Sequence, residues 1–226
     1  MAITTIPWGD GSGDNIYLSA PSQTGDQSVS VTSDPNTGAA RSKVVTFSAS
    51  GVSPVTLTIN QAGVPQEHTI VLYPTSYDTG DHSYNSLSNV NNAYTTDINS
   101  TSNCNITLTH GSGAETWIYF KFDTSSIPAD ATIVSVECKV NCRISSTNAS
   151  NVATRQVQMC SGTTLKGDPV DMSTTMTLRT LTPGTWTRNE LNDARIRLYA
   201  KRGTSNTTTT YTIQVRCSQL TIKYKI

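Results

Sequence analysis

The sequence predicts an all-β protein, a small immunoglobulin-like β-sandwich followed by a larger jelly-roll-type β-sandwich. Three observations predict it. Charged residues make up only 14% of the 226 positions, well below the usual quarter, and Thr, Ser and Asn take their place. Runs such as Thr207-Thr208-Thr209-Thr210 favour strands, because a β-branched side chain fits a pleated surface and crowds a helix. Apolar residues also recur at every second position in nearly every segment, which is the period of a strand with one buried face.

The chain divides near Val64-Pro65-Gln66-Glu67, giving expected domains at 1–64 and 69–226 with a linker at 65–68. In the first, Ile16-Tyr17-Leu18 is a candidate strand. Gln27 to Thr32 is a second, with Val29 and Val31 inward. Asp34-Pro35-Asn36-Thr37-Gly38 is a turn cluster. Lys43 to Ala49 follows, with Val45, Phe47 and Ala49 on one face. Gly51 to Pro54 turns the chain, and Val55 to Asn60 alternates with Val55, Leu57 and Ile59 inward. The last two strands read as a hairpin.

Residues 36–63 resemble the end of a BACON domain, an immunoglobulin-like module of Bacteroidetes proteins and of the phages that infect them. The resemblance rests on the small-residue turn Asn36-Thr37-Gly38-Ala39-Ala40-Arg41, the two strands, and the closing Ile59-Asn60-Gln61-Ala62-Gly63. Trp8 matches the family's early Trp. The family name implies carbohydrate binding, yet this segment offers only Trp8, Tyr17 and Phe47 as rings to stack on a sugar, and Phe47 is assigned inward.

In the second domain, Thr69 to Tyr73 is a strand and Tyr77 to Ser102 is mostly loop, with Asn91 to Thr96 as an edge strand. Cys104 to Thr109 alternates. Thr116 to Asp123 is the most aromatic strand. A turn at 125–131 leads into Ile133 to Ile144, where Val134, Val136, Cys138, Val140, Cys142 and Ile144 share one face. Arg155 to Cys160 is another strand, Asn189 to Asp193 one helical turn, and Arg195 to Ala200 a further strand. Thr209 to Ile226 closes the domain. Its apolar parity switches at Ser218-Gln219, so a bulge is expected there.

Phe120-Lys121-Phe122-Asp123-Thr124-Ser125-Ser126-Ile127-Pro128-Ala129-Asp130-Ala131-Thr132-Ile133 resembles the signature of carbohydrate-binding-module-like jelly rolls of the DNRLRE type. These occur in cell-wall-associated proteins and in phage structural proteins. Lys121 stands where the family has Arg. The motif is structural in character: two Phe for the core, a tight corner, and Ile133 opening the next strand. Trp186 and the closing strand sit where such domains place them.

Several function classes are disfavoured. Sixteen acids balance sixteen bases, so bulk charge does not draw the chain to nucleic acid or an anionic membrane. No Gly-x-Ser-x-Gly, His-Glu-x-x-His or phosphate loop occurs, so no catalytic residue is assigned and an enzyme is not expected. Five cysteines, Cys104, Cys138, Cys142, Cys160 and Cys217, lack C-x-x-C spacing and read as small buried hydrophobes rather than disulfide partners or metal ligands. Asp78-Thr79-Gly80-Asp81-His82 reads as a polar turn. Asp10-Gly11-Ser12-Gly13-Asp14-Asn15 offers oxygen donors suited to calcium but lacks the closing Glu of an EF-hand loop. A turn is expected there, and no cofactor. Asp123 reads as a cap on the Ser-Ser turn.

Trp117 and Tyr119 share the strand face opposite Ile118, Phe120 and Phe122, so they are candidate ligand-binding residues at an outer surface. Trp186, between Pro183-Gly184 and Arg188, is the third candidate and is also placed as a loop anchor. The start Met1 to Trp8 has no secretory signal, so synthesis in a host cytoplasm and a place on the virion surface are expected. The two resemblances imply a non-enzymatic bacteriophage structural protein, as in crAss-like phages of Bacteroidales: a capsid decoration, head-fibre or tail-associated component. Its expected partners are other virion proteins in a multi-copy assembly, with host surface glycans as weak ligands, and neither nucleic acid nor membrane. The alternative is a carbohydrate-binding module or adhesin of a Bacteroidetes bacterium.

Overall fold

The computed structural model describes residues 2–20, 28–49, 51–79, 86–108, 111–146, 148, 151–204 and 209–226. The chain is nearly all β and divides into two compact units, Met1–Pro65 and Gln66–Ile226.

The first unit has two small antiparallel sheets. One contains β1 (Ala2–Pro7), β2 (Asn15–Ala20) and β3 (Ser30–Ser33) in that order; the other is the hairpin β4 (Arg41–Ala49) and β5 (Val52–Gln61). Alternation on β2 sends Ile16 and Leu18 inward, where they meet Trp8 and Val45, with Ile6, Phe47 and Ile59 packed at the margin. Three residues expected inside are not. Val29 is 38% exposed, Val31 37% and Val55 65%, because the small core closes over β2 and leaves the edge strand β3 and the hairpin tip outside it. The hairpin turn is tighter than expected. Gly51 takes φ 78°, a left-handed value suited to glycine, and β5 already contains Ser53 and Pro54. Among the described residues β5 pairs only with β4, and an edge position is where a strand tolerates proline.

The second unit stacks a five-stranded sheet on a six-stranded one. Its strands are β6 (Glu67–Leu72), β7 (Pro74–Asp78), β8 (Ser86–Ser88), β9 (Cys104–Thr107), β10 (Glu115–Phe122), β11 (Thr132–Ile144), β12 (Val152–Ser161), β13 (Thr164–Asp171), β14 (Thr177–Leu181), β15 (Ala194–Arg202) and β16 (Thr212–Lys225). The five-stranded sheet runs β13-β12-β15-β10-β7. The other runs β14-β11-β16-β9-β8, with β6 also paired to β16. The strand expected at Thr69 to Tyr73 is β6, and β7, which includes Tyr77 from the expected loop, follows in the other sheet, so the chain crosses between the sheets at Tyr73. Glu67 and His68, expected in a linker, already pair with Lys225 and Tyr224.

Ile118, Phe120, Val157, Met159, Ile196 and Leu198 from one sheet face Val136, Cys138, Val140, Cys142, Ile213, Val215, Leu220 and Ile222 from the other, all buried. Burying each large apolar side chain stabilises by roughly 1.5–3 kcal/mol. Two bulges set this alignment. The register of β11 against β16 slips at Val134, which leaves that residue 47% exposed instead of inward. It slips again between Asn141 and Cys142, whose partners are Cys217 and Val215. The expected bulge in β16 therefore lies at Arg216, not at Ser218-Gln219. Ser218 takes the core face, and Cys217 faces outward, where its Sγ donates to the Thr95 carbonyl (3.2 Å). The segment expected as an edge strand at 91–96 is instead a 3-10 turn, Val90–Tyr94. It buries Ala93 and sets Tyr94 edge-on against Phe120 at 6.1 Å. Among the described residues no helix is long and apolar enough to cross a membrane.

Candidate functional site

β15 reads Arg195-Ile196-Arg197-Leu198-Tyr199-Ala200-Lys201, and strict alternation turns the Arg, Tyr and Lys side chains away from the core. Its neighbour β10 does the same with Trp117, Tyr119 and Lys121. The register sets Trp117 opposite Tyr199, Tyr119 opposite Arg197, and Lys121 opposite Arg195. On the far side of β15, Gln156, Gln158 and Cys160 oppose Tyr199, Arg197 and Arg195. The result is a band of aromatic rings and guanidinium groups across the outer face of the five-stranded sheet.

The band is held by stacking. The Arg197 guanidinium carbon lies 4.4 Å from the Tyr199 ring centroid and 5.1 Å from that of Trp117. The two rings are 6.0 Å apart and tilted by 51°. Arg195 lies 5.5 Å over Tyr119. Such contacts contribute about 0.5–1 kcal/mol each at exposed positions and more when desolvated. The charges at the margins are paired. Arg195 bonds Asp193 (2.7 Å) and Asp78 (3.1 Å), Lys121 bonds Asp78 (3.2 Å), and Lys201 bonds Glu115 (2.7 Å). Burial pushes the Tyr119 and Tyr199 phenols above their ordinary range.

Of the three sequence-predicted ligand residues, Trp117 and Tyr119 share this face. Trp117 is partly exposed, whereas Tyr119 is only 6% exposed beneath Arg195. Trp186 is not brought to them. It is 5% exposed, belongs to the core cluster and lines a shallow depression with Ile133–Val136. Lys166 Nζ lies 5.2 Å over its ring. The loop before it runs so close to Gly167 that a Cβ there would meet the Pro183 Cα at 2.7 Å. Trp186 therefore anchors its loop. Arg195, Arg197 and Tyr199 were not picked out as part of the face. The signal was present, since three polar residues alternate with Ile196, Leu198 and Ala200, but the pairing of β15 with β10 is not visible in either strand alone.

The other polar groupings are built into corners. Asp123 Oδ1 accepts the Ser125 N–H (2.9 Å), as a turn cap. Arg188 clamps that corner from 61 residues away, donating to the Ile127 carbonyl (2.8 and 3.1 Å) and also to those of Pro128 (3.0 Å) and Thr124 (3.2 Å). It opens the single-turn helix α1 (Arg188–Leu191). There Thr187 and Glu190 form a reciprocal capping box, and bonds from Lys166 and Thr187 hold the Glu190 carboxyl down at about 2.

In the first unit Arg41 Nη1 donates to Asp14 (2.8 Å), Asp10 (3.0 Å) and Ser12 (3.1 Å), Nε donates to Gln61 (2.9 Å), and the guanidinium lies 4.4 Å over Trp8. The Asp10–Asn15 loop thus wraps a guanidinium in the position where an oxygen-rich loop would otherwise hold a cation. Bonds from Ser12, then Arg41, keep the Asp10 carboxyl well below the usual carboxylate range. The residues that suggested the BACON resemblance converge here. Gln61 Nε2 donates to the Asp34 carbonyl (2.8 Å), and Gly63 passes so close to Ala40 that a Cβ would lie 2.5 Å from its nitrogen.

The five thiols are all buried. Burial raises Cys104, Cys142 and Cys160 to about 12 and Cys217 to about 11, and Cys138 well above its ordinary value. Among the described residues no group of three or more His, Cys, Asp or Glu is placed to hold a metal ion. Asp78 serves Lys121 and Arg195, while Gly80, Asp81, His82 and His110 lie outside the described residues. No protein-family model matches the chain, and no curated protein is significantly similar to it.

Proposed function

We propose that this chain is a non-enzymatic surface component of a bacteriophage virion, a capsid decoration, head-fibre or tail-associated protein. It presents β-sandwich units on the particle and contacts its neighbours there through the outer face of the five-stranded sheet. The observation that carries this reading is where the chemically capable side chains go. Arg41, Arg188 and Arg195 are each spent on holding a loop, a corner or a strand pair, and the thiols are buried in the un-ionised form. What the sheet face offers is a set of stacked rings and guanidinium groups, the residue types that dominate contact energies at protein interfaces. Mass spectrometry of purified particles tests the proposal: the protein is expected as a multi-copy component, and its absence from intact particles overturns it.

One observation favours a second reading, a carbohydrate-binding module or adhesin. Trp117 and Tyr199 are partly exposed side by side on a sheet face, where rings stack on sugars. Glycan-array binding that is lost in Trp117→Ala supports that reading.

A further inference from the structure

Among the cations on the outer face of the five-stranded sheet, one differs from the rest. Lys121, Arg195 and Lys201 each have a carboxylate within 3.2 Å. Arg197, at the centre, has no hydrogen-bond or ion-pair partner among the described residues, and its Nε is buried without an acceptor. A buried donor of a charged group left unmatched is unfavourable, yet the fold retains it, with the guanidinium packed over both the Trp117 and the Tyr199 rings. The same stacking decides the kind of partner. One face of each of the Trp117, Tyr199 and Tyr119 rings is taken by a guanidinium, which removes that face as a platform for a sugar. A planar guanidinium without a counter-ion, rimmed by aromatics, is instead matched by a carboxylate.

We propose that this face docks an acidic segment of a partner protein, with an Asp or Glu carboxylate of the partner seated on Arg197 beside the Trp117 and Tyr199 rings. The inference rests on reading the chain as one component of an assembly, and it names the chemistry of the neighbour. On this face Lys121, Arg195 and Lys201 are each paired with Asp78, Asp193 or Glu115, which leaves Arg197 as the cation for the partner's carboxylate to pair.

The full chain can be tested with dye-labelled poly-L-glutamate by fluorescence polarisation, with tryptophan emission read in parallel. Trp8 and Trp186 are each 5% exposed and Trp117 is the more open ring, so a ligand-induced change in emission reports this face. Poly-L-glutamate is expected to bind, to alter the emission, and to bind about tenfold more weakly to Arg197→Gln, a loss of about 1.4 kcal/mol. Lys225→Gln, on the other sheet, is expected to bind as the parent does. Arg197→Lys keeps the charge but not the planar guanidinium, and an intermediate loss is expected. It also replaces Arg197→Gln as the test should that variant melt early. Equal binding by the parent and both Arg197 variants overturns the proposal, as does no binding at all. Tighter binding of polygalacturonate than of poly-L-glutamate overturns it in favour of an acidic glycan. These outcomes are independent of particle composition. A protein found in virions that ignores poly-L-glutamate sinks only the docking chemistry, and one that binds poly-L-glutamate but is absent from virions sinks only the location.

Discussion

Among the described residues, the cluster at the centre of unit Met1–Pro65 has four buried side chains, whereas that of unit Gln66–Ile226 has thirty. Both are sandwiches, but apolar burial at the scale of the first is marginal for independent folding. That unit adds a polar hub: Arg41 ties the 10–14 loop, Gln61 and Trp8 together. In the larger unit the comparable clamp, Arg188, secures a corner of a structure already held by its core. The difference teaches that a guanidinium with several acceptors can join loops that a small core cannot hold.

Four measurements break or sharpen this comparison. The largest effect is expected from Phe120→Ala, at a fully buried position between the sheets. It should lower the stability of the larger unit by about 3–5 kcal/mol and leave the melting of the first unit unchanged; equal losses in both would show that they do not melt separately. Next is Gly63→Ala, whose new methyl meets the backbone of Ala39 and Ala40. A loss of about 1–3 kcal/mol is expected, confined to the first unit in a calorimetric scan. Arg41→Lys should lower the melting temperature of that unit by less, since a lysine keeps the charge but cannot reach Asp10, Asp14 and Gln61 together. No change there would remove the hub from the account.

The smallest effect concerns pH. Glu190 is held at about 2 against an ordinary 4.5. A depressed folded-state value means that its contribution is complete above about pH 4.5 and is lost as pH falls toward 2. NMR titration of the Glu190 carboxyl should give a midpoint near 2, rising toward the ordinary range in Lys166→Gln; an unchanged midpoint would remove Lys166 as the main cause.

Alternation made much of the larger unit legible. Ile118, Phe120 and Phe122 point into the core while Trp117 lies on the outer face, and Cys138 and Cys142 lie inside. What alternation does not carry is pairing. β13 and β14 went unread because they are edge strands with largely exposed, polar residues such as Lys166-Gly167-Asp168-Pro169, so burial imposes little pattern on them. Val134 misled because a bulge breaks the period there. The Arg41 hub spans 31 residues and the Arg188 clamp 64, distances over which local spacing says nothing. The candidate face was half legible for the same reason: each of its two strands shows its parity, and only their register brings Trp117 and Tyr119 beside Arg197 and Tyr199.

The position of β16 has a consequence for biosynthesis. This strand runs down the middle of the six-stranded sheet, flanked by β11 on one side and by β6 and β9, both far earlier in the chain, on the other. A ribosome must therefore release residues 212–225 before that layer can close, and until then the apolar edge of β11 waits without its partner. Assembly dominated by such distant pairings is slow and exposed to aggregation. The first unit, made of nearby segments, can fold while the rest is still being made.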